Sequence, residues 1–414
     1  MPDPSSRRRV RRRRVIGALL AAPVAAHVGP SFAEHTSHKP DPKARPQLAV
    51  SAAFAPNGDL WMVALDQQRR LTLRVSRDDG RTWGAPRVIE TGDDTIAADG
   101  ENRPKIAFGP NHWVVLAYTQ PLAKPYTGEI RMLRSSNGGR TFSAPFTVHH
   151  DRQMITHRFE SITFDSTGAL HTLWIDKRDA EGARRAEGAG PAAKSAYAGA
   201  AVYRNVSTDG GATFGPDLKL AEHSCECCRI ALAPDTTGGI VALWRHVFDV
   251  NVRDHAFARI APRGVKSGPP VRASFDEWTI DACPHHGPGL AEAADGGFHA
   301  VWFGEHNGEA AVRYARLSAD GQPLGEARSL PDPLAEHATV ASAGQNLAIM
   351  WRSFDGTVTR LGAMVSIDGG KTFDMRELAV SADDNDHPLL VRKGSNLYAV
   401  WRTMKEIRVE RLVS

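Results

Sequence analysis

Three of the chain's four cysteines fall within four residues, Cys225-Glu226-Cys227-Cys228, and the fourth opens the segment Cys283-Pro284-His285-His286. Thiolates beside imidazoles are the donor set of soft ions, with copper the first choice and zinc the second. The cysteines have a plainer use as well. In an oxidising compartment four cysteines most often make two disulfides. Cys227 and Cys228 are neighbours, and a bridge between neighbours is strained, so metal and disulfide both stay open on this arithmetic.

The elements that must position these residues are strands. With 37 glycines and 26 prolines in 414 residues, the composition favours turns over long helices. Length alone suggests two or three domains, unless an internal repeat closes into one. No window holds the roughly 18 uninterrupted apolar residues of a membrane-spanning helix. Residues 1–33 read as a cleavable export signal. Arg7 to Arg9 and Arg11 to Arg14 form a cationic head, Val15 to Ala26 a short apolar run, and Ser31-Phe32-Ala33 a cleavage site before Glu34. Arg12-Arg13, followed by Arg14, Val15 and Ile16, also fits a twin-arginine signal. The expected location is therefore periplasmic or secreted, with no membrane span after cleavage. These 33 residues carry seven arginines and one aspartate, so the formal charge of +4 falls to about −2 without them. The basic character belongs to the signal, and a nucleic-acid partner loses its main support. Residues 34–44 read as a flexible lead-in, and 45–414 as a single domain.

From Arg45 onward one pattern recurs: an apolar strand, a turn of Gly, Asn or Asp, and a second apolar strand closing on an aromatic residue. QLAVSAAFAPNGDLWMVAL is the first copy, RIALAPDTTGGIVALWRH the fourth and PLLVRKGSNLYAVWRT the seventh. After the first copy the closing aromatics are Tyr118, Trp174, Trp244, Trp302, Trp351 and Trp401, about 50 to 70 residues apart. That period and strand chemistry predict an all-β chain built as a β-propeller. Seven units predict seven four-stranded blades. A six-bladed count would need the first and last units to share a blade. The final strand, IRVERLVS, has no fourth strand after it, so residues near Pro46 or the first blade must close the ring. The segment from Asp179 to Ala200 reads as a mobile loop over the rim.

Four units add a turn of the form Ser-x-Asp/Asn-x-Gly-x-Thr-Trp/Phe: SRDDGRTW from Ser76, SSNGGRTF from Ser135, STDGGATF from Ser207 and SIDGGKTF from Ser366. These turns resemble the Asp boxes, or BNR repeats, of the sialidase superfamily. The second has Asn137 in place of Asp. The carboxylate or amide can bond amides of its own turn, glycine supplies a positive φ, and the aromatic covers the turn, so their role reads as structural. The resemblance implies a propeller whose inner strands begin, and second strands end, at one face beside a central channel. At those places stand His157-Arg158, Cys227-Cys228-Arg229, Cys283-Pro284-His285-His286, Glu336-His337 and Asp386-His387. The metal reading therefore takes Cys225, Cys227, Cys228, Cys283, His285 and His286 as one soft-metal site at the top of the channel, with His157, His337 and His387 nearby.

Two other readings follow from the resemblance. Sialidases clamp a substrate carboxylate with arginines, which pair with it bidentately. Arg103, Arg158, Arg245, Arg352 and Arg402 could form such a cluster and take a small acidic ligand. A sialidase-like exo-glycosidase also needs a tyrosine nucleophile and an acidic partner. Here the tyrosines are few, Tyr398 lies within a strand, and Asn102-Arg103-Pro104-Lys105-Ile106 only faintly echoes the family's Phe/Tyr-Arg-Ile-Pro motif. The alternative is a non-catalytic module whose top face binds carbohydrate or a protein partner.

Overall fold

The computed structural model describes residues 47–186, 199–249, 251–280, 282 and 284–413. The expected signal and lead-in, and Cys283, lie outside these residues. The described chain makes seven antiparallel sheets in sequence order, six of four strands and a last of three. Each is a blade. Blade one runs Ser51–Phe54, Leu60–Leu65, Leu71–Ser76 and Arg87–Val88. Blade four runs Ala231–Pro234, Ile240–Arg245, His255–Ile260 and Val271–Arg272. Blade seven has only Leu389–Lys393, Asn396–Arg402 and Ile407–Val413.

The core is divided among the gaps between blades. Seven apolar clusters each join two neighbours, as Leu116, Tyr118 and Leu133 of blade two meet Val63 and Leu73 of blade one. The seventh cluster closes the ring: Val50, Leu60 and Met62 of blade one pack on Val391, Tyr398 and Val400 of blade seven. The first and last units therefore form separate adjoining blades, and the six-bladed alternative is excluded. Closure is by side-chain packing, because no fourth strand joins blade seven among the described residues. The closing tryptophans Trp174, Trp244, Trp351 and Trp401 are fully buried, each contributing on the order of 2–3 kcal/mol by area removed from water.

The four signature turns share one hydrogen-bond pattern. In the first, Ser76 Oγ donates to Asp78 Oδ1 (2.8 Å), Gly80 N donates to Ser76 Oγ (2.7 Å), and Thr82 N and Oγ1 donate to the Asp78 carboxylate (2.8 and 2.6 Å). Where Asn137 replaces aspartate, its Nδ2 donates to Thr141 Oγ1 instead, at 2.8 Å. The turn glycine has a second duty. A Cβ on Gly80 would sit 2.5 Å from Val409 of blade seven, and one on Gly139 would sit 2.6 Å from Trp61 of blade one. These two turns thus press on the preceding blade, where no larger residue fits, whereas a Cβ on Gly211 of the third turn would meet Val115 only at 3.4 Å.

The expected loop at 179–200 begins otherwise. Arg178–Ala186 is an α-helix, as its alanines and arginines favour. Asp176 Oδ1 accepts from Arg178 N at 2.8 Å at its start, and Tyr203 donates to Asp179 at 3.0 Å. Residues 187–198 lie outside the described chain.

Candidate functional site

Antiparallel pairing puts the start of every inner strand and the end of every second strand at one face. The turns between third and fourth strands, which include the signature turns, lie at the other. At the first face five blades converge on one carboxylate, that of Glu101, which precedes inner strand Lys105–Phe108 of blade two. Its side chain is 3% exposed. Arg229 of blade four pairs with it through the guanidinium and also donates its backbone N–H at 3.1 Å. Gly287 N, ahead of blade five, donates at 2.9 Å. His337 Nδ1 of blade six and His387 Nδ1 of blade seven lie 3.4 and 3.6 Å from Glu101 Oε1.

The imidazoles form a column. His286 stacks on His337 with centroids 4.2 Å apart, and His337 on His387 at 3.4 Å. Phe303 covers the far side of His286 at 4.4 Å. The Nδ1 atoms of all three histidines are buried with no hydrogen-bond partner. Glu336 Oε2 lies 3.9 Å from His337 Nε2, and its Oε1 is paired with Arg352 Nε at 2.8 Å. Local backbone makes this convergence possible. The inner strand of blade six has a register shift between Glu336 and Thr339, and His337 sits at φ 51°. A bulge of this kind re-aims a side chain, and a non-glycine residue there costs about 1–3 kcal/mol. Glycine gives the close approach: a Cβ on Gly100 would fall 2.2 Å from the His387 ring, and one on Gly287 would fall 2.7 Å from Glu101 Oε2.

Electrostatics sets the protonation states. Burial pushes the Glu101 carboxyl upward, but the Arg229 charge and the facing imidazoles outweigh it and hold it well below the usual range. Burial, with the His387 charge, holds His337 well below its ordinary value. Burial likewise lowers His387 to about 3, against the opposing pull of Glu101. At neutral pH the site is thus a carboxylate facing neutral imidazoles. Ligand atoms of Glu101, His337 and His387 lie within 4.8 Å of one another, as do those of His286, Glu336 and His337. Four-coordinate N/O bonds of about 2.0–2.2 Å separate ligand atoms by about 3.4 Å, and the two measured Glu101–imidazole distances match.

The structure therefore divides the single site expected from sequence. Cys225, Cys227 and Cys228 form a separate group, with Cys225 Sγ 3.8 Å from Cys227 Sγ and 3.6 Å from Cys228 Sγ. At those distances the three are not bonded to one another. They lie in the apolar gap between blades three and four, while His286, His337 and His387 stand at the channel. His157 joins neither group: it stacks on His149 at 3.9 Å and faces Asp151 and Asp176 at 3.3 and 3.7 Å. His285 is exposed at φ 54°, outside both groups. Its neighbour His286 turns inward instead.

Each of the five expected arginines has a partner within the fold. Arg103 is held by Asp386 and the Val50 and Gly100 carbonyls. Arg245 donates to the carbonyls of Arg253, His286 and Phe303. Arg352 binds Glu336, Arg402 the Leu65 carbonyl at 3.2 Å, and Arg158 lies over the Phe159 ring. Partners within the fold thus engage all five. Glu101 and Arg229 were not among the sequence candidates. The available signal was position: Glu101 precedes an inner strand just as the histidines do, and Arg229 follows Cys228.

No family model matches this chain, and no curated protein matches it. Solved structures do. A polysaccharide lyase of family PL25, an ulvan lyase bound to a GlcA–Rha3S saccharide, superposes with a TM-score of 0.55 at 11% identity, covering 88% of this chain and 92% of its own. The Hadza microbial sialidase Hz136 gives 0.50 at 13%, covering 86% and 73%. The Penicillium chrysogenum α-L-arabinanase in complex with arabinobiose gives 0.50 at 15%, covering 78% and 94%. Identities this low speak for architecture and leave chemistry to the site. The chain has the sialidase-like β-propeller fold.

Proposed function

We propose that this propeller binds a metal ion at the mouth of its channel, through Glu101, His337 and His387, with His286 and Glu336 completing the donor set. The observation that carries this is the buried Glu101 carboxylate facing imidazoles from separate blades, whose Nδ1 atoms make no hydrogen bond in the fold. Buried polar atoms without partners cost about 1–3 kcal/mol each, and an ion would satisfy several at once. Imidazole and carboxylate donors suit Zn(II) and Cu(II). Holding one ion through both rings would require the stacked His337 and His387 imidazoles to separate. In the exported setting suggested by the N-terminal residues, the role would be metal capture, delivery or metal-dependent chemistry on the top face.

The similar solved structures, a polysaccharide lyase, a sialidase and an arabinanase, invite a sugar-binding or glycosidase reading. The arginine engagement described above weakens it, because four of the five groups meant to clamp an acidic sugar already hold carbonyls or carboxylates, and Arg158 lies over the Phe159 ring. The deciding experiment is elemental analysis of the mature protein, purified without chelator or histidine tag, followed by calorimetric titration with Zn(II) and Cu(II). One ion per chain, bound at least tenfold more weakly by Glu101→Gln and by His387→Ala, supports the channel site. Unchanged affinity in both variants removes it.

A further inference from the structure

We infer that Cys225, Cys227 and Cys228 form a second metal site, distinct from the channel site, whose three sulfurs take Cu(I). The turn that carries them crosses from the outer strand Leu218–Ser224 of blade three to the inner strand Ala231–Pro234 of blade four. Cys225 N donates to the Arg245 carbonyl at 3.0 Å, which pins the first sulfur to blade four. Glu226, the residue between, points away and pairs with Lys177. All three ligand sulfurs lie within 4.8 Å of one another. Bonds of about 2.3 Å around one three-coordinate ion put neighbouring sulfurs about 4.0 Å apart. The measured separations of 3.8 and 3.6 Å lie a few tenths of an ångström inside that spacing and are far longer than a disulfide.

The surroundings favour a soft monovalent ion. The three cysteines are 1%, 6% and 2% exposed and share a cluster with Phe159, Ile230 and Trp244. An all-sulfur set in an apolar pocket selects Cu(I), which does not need the fourth ligand that structural zinc takes. A second observation marks the pocket as chemically unfinished. His255, paired across the sheet with Arg245, whose carbonyl accepts from Cys225 N, is buried with no hydrogen-bond partner at Nε2. Entry as Cu(I) releases up to three thiol protons to solvent and moves no electron.

The test titrates reduced full-length protein with Cu(I) anaerobically against a chromophoric Cu(I) chelator. It then counts the neighbours of the bound ion by X-ray absorption. The expected result is one Cu(I) per chain with a near-ultraviolet sulfur-to-copper band and a shell of three sulfurs. Affinity should fall at least tenfold in Cys228→Ser and stay unchanged in His337→Ala. The sulfur count on the unmutated protein keeps the inference open to refutation should Cys228→Ser fold poorly. Four results overturn it: no stoichiometric Cu(I) after reduction, a shell dominated by nitrogen or oxygen, undiminished binding in Cys228→Ser, or uptake of Zn(II) with His255 as fourth donor and no Cu(I). The channel site is judged separately, by Zn(II) and Cu(II) in Glu101→Gln, so either site can fail alone.

Discussion

The two faces of the propeller solve opposite problems. On one, each signature turn is complete in itself: Ser207, Asp209, Gly211 and Thr213 satisfy one another within seven residues. On the other, Glu101 takes its partners from blades four to seven, and three neighbouring imidazoles keep a nitrogen that makes no hydrogen bond. A turn that closes its own hydrogen bonds stabilises the scaffold and offers nothing to a ligand. A site assembled from distant segments is stable only because the scaffold holds it, and its unmatched atoms are what a ligand can use.

The contrast is broken most severely at the Glu101–Arg229 pair. Glu101→Ala leaves Arg229 without its carboxylate at a nearly closed site, and uncompensated buried charge costs about 3–5 kcal/mol. Denaturant unfolding should show a loss approaching that figure, with metal uptake abolished. Removing both charges in Glu101→Ala/Arg229→Met should recover much of the stability and none of the uptake. If the single variant unfolds at the same midpoint as the parent, the pair is not the keystone described here.

Two glycines, one on each face, sharpen the difference. Gly287→Ala would place a Cβ 2.3 Å from Arg229 Cγ and 2.8 Å from its backbone nitrogen, and Gly80→Ala would place one within 2.7 Å of three Val409 atoms at φ 88°. Overpacking of this kind costs about 1–3 kcal/mol at either site. Thermal melts should register both. Only Gly287→Ala should also lower metal affinity, since Gly80 acts by sealing blade one against blade seven. Equal effects on metal binding would dissolve the division between faces.

Acid titration separates the faces more gently. The turn carboxylates Asp78 and Asp209 are held down to about 2: hydrogen bonds from Thr82 and Ser76 lower Asp78, and burial opposes while Thr213 and Ser207 lower Asp209. A carboxyl whose folded pKa lies below its unfolded value stabilises the fold above about pH 4, and that contribution is lost as pH falls toward 2. Asp209→Asn should therefore flatten the acid limb of the stability curve between pH 4 and 2. Asn137 already holds one turn without a titrating group, so replacing it by alanine should lower stability by a similar amount at every pH. An unchanged acid limb in Asp209→Asn would mean that these turns contribute nothing through charge.

The smallest expected effect is coupling between the sites. Cys228 is followed directly by Arg229, the residue that grips Glu101. Cys228→Ser should shift the channel affinity for Zn(II) by less than about threefold, through small movement of that guanidinium. A larger shift would mean that the two sites act as one.

Particular residues show why some of this was legible beforehand. The signature turns could be read directly because each bond in Ser76 to Trp83 joins residues at most four apart. The blade count followed from Trp174, Trp244, Trp302, Trp351 and Trp401, since a repeated burial demand leaves a repeated residue. The helix at Arg178–Ala186 was missed because alanine, glycine and arginine in a long insertion also suit a loop. Glu101 escaped attention because a single carboxylate before a strand is ordinary until its partners, more than 120 residues away, are known. The arginines misled for the converse reason. A guanidinium near a channel reads as a ligand clamp until the carbonyls that hold it are located.

Sequence alone determined the strands, their turns and the number of blades, because each depends on residues close along the chain. It also placed cysteines and histidines at one point of the repeat, which limited where chemistry could occur. Only tertiary structure decided which of them meet. Ring closure sets the angle at which each inner strand enters the channel, and the bulge at His337 and the bare glycines at 100 and 287 set how near the side chains come. Those quantities arise from packing seven blades against one another, so no local stretch of sequence carries them. For that reason one predicted cluster became two, with thiols in an apolar gap between blades and imidazoles around a buried carboxylate.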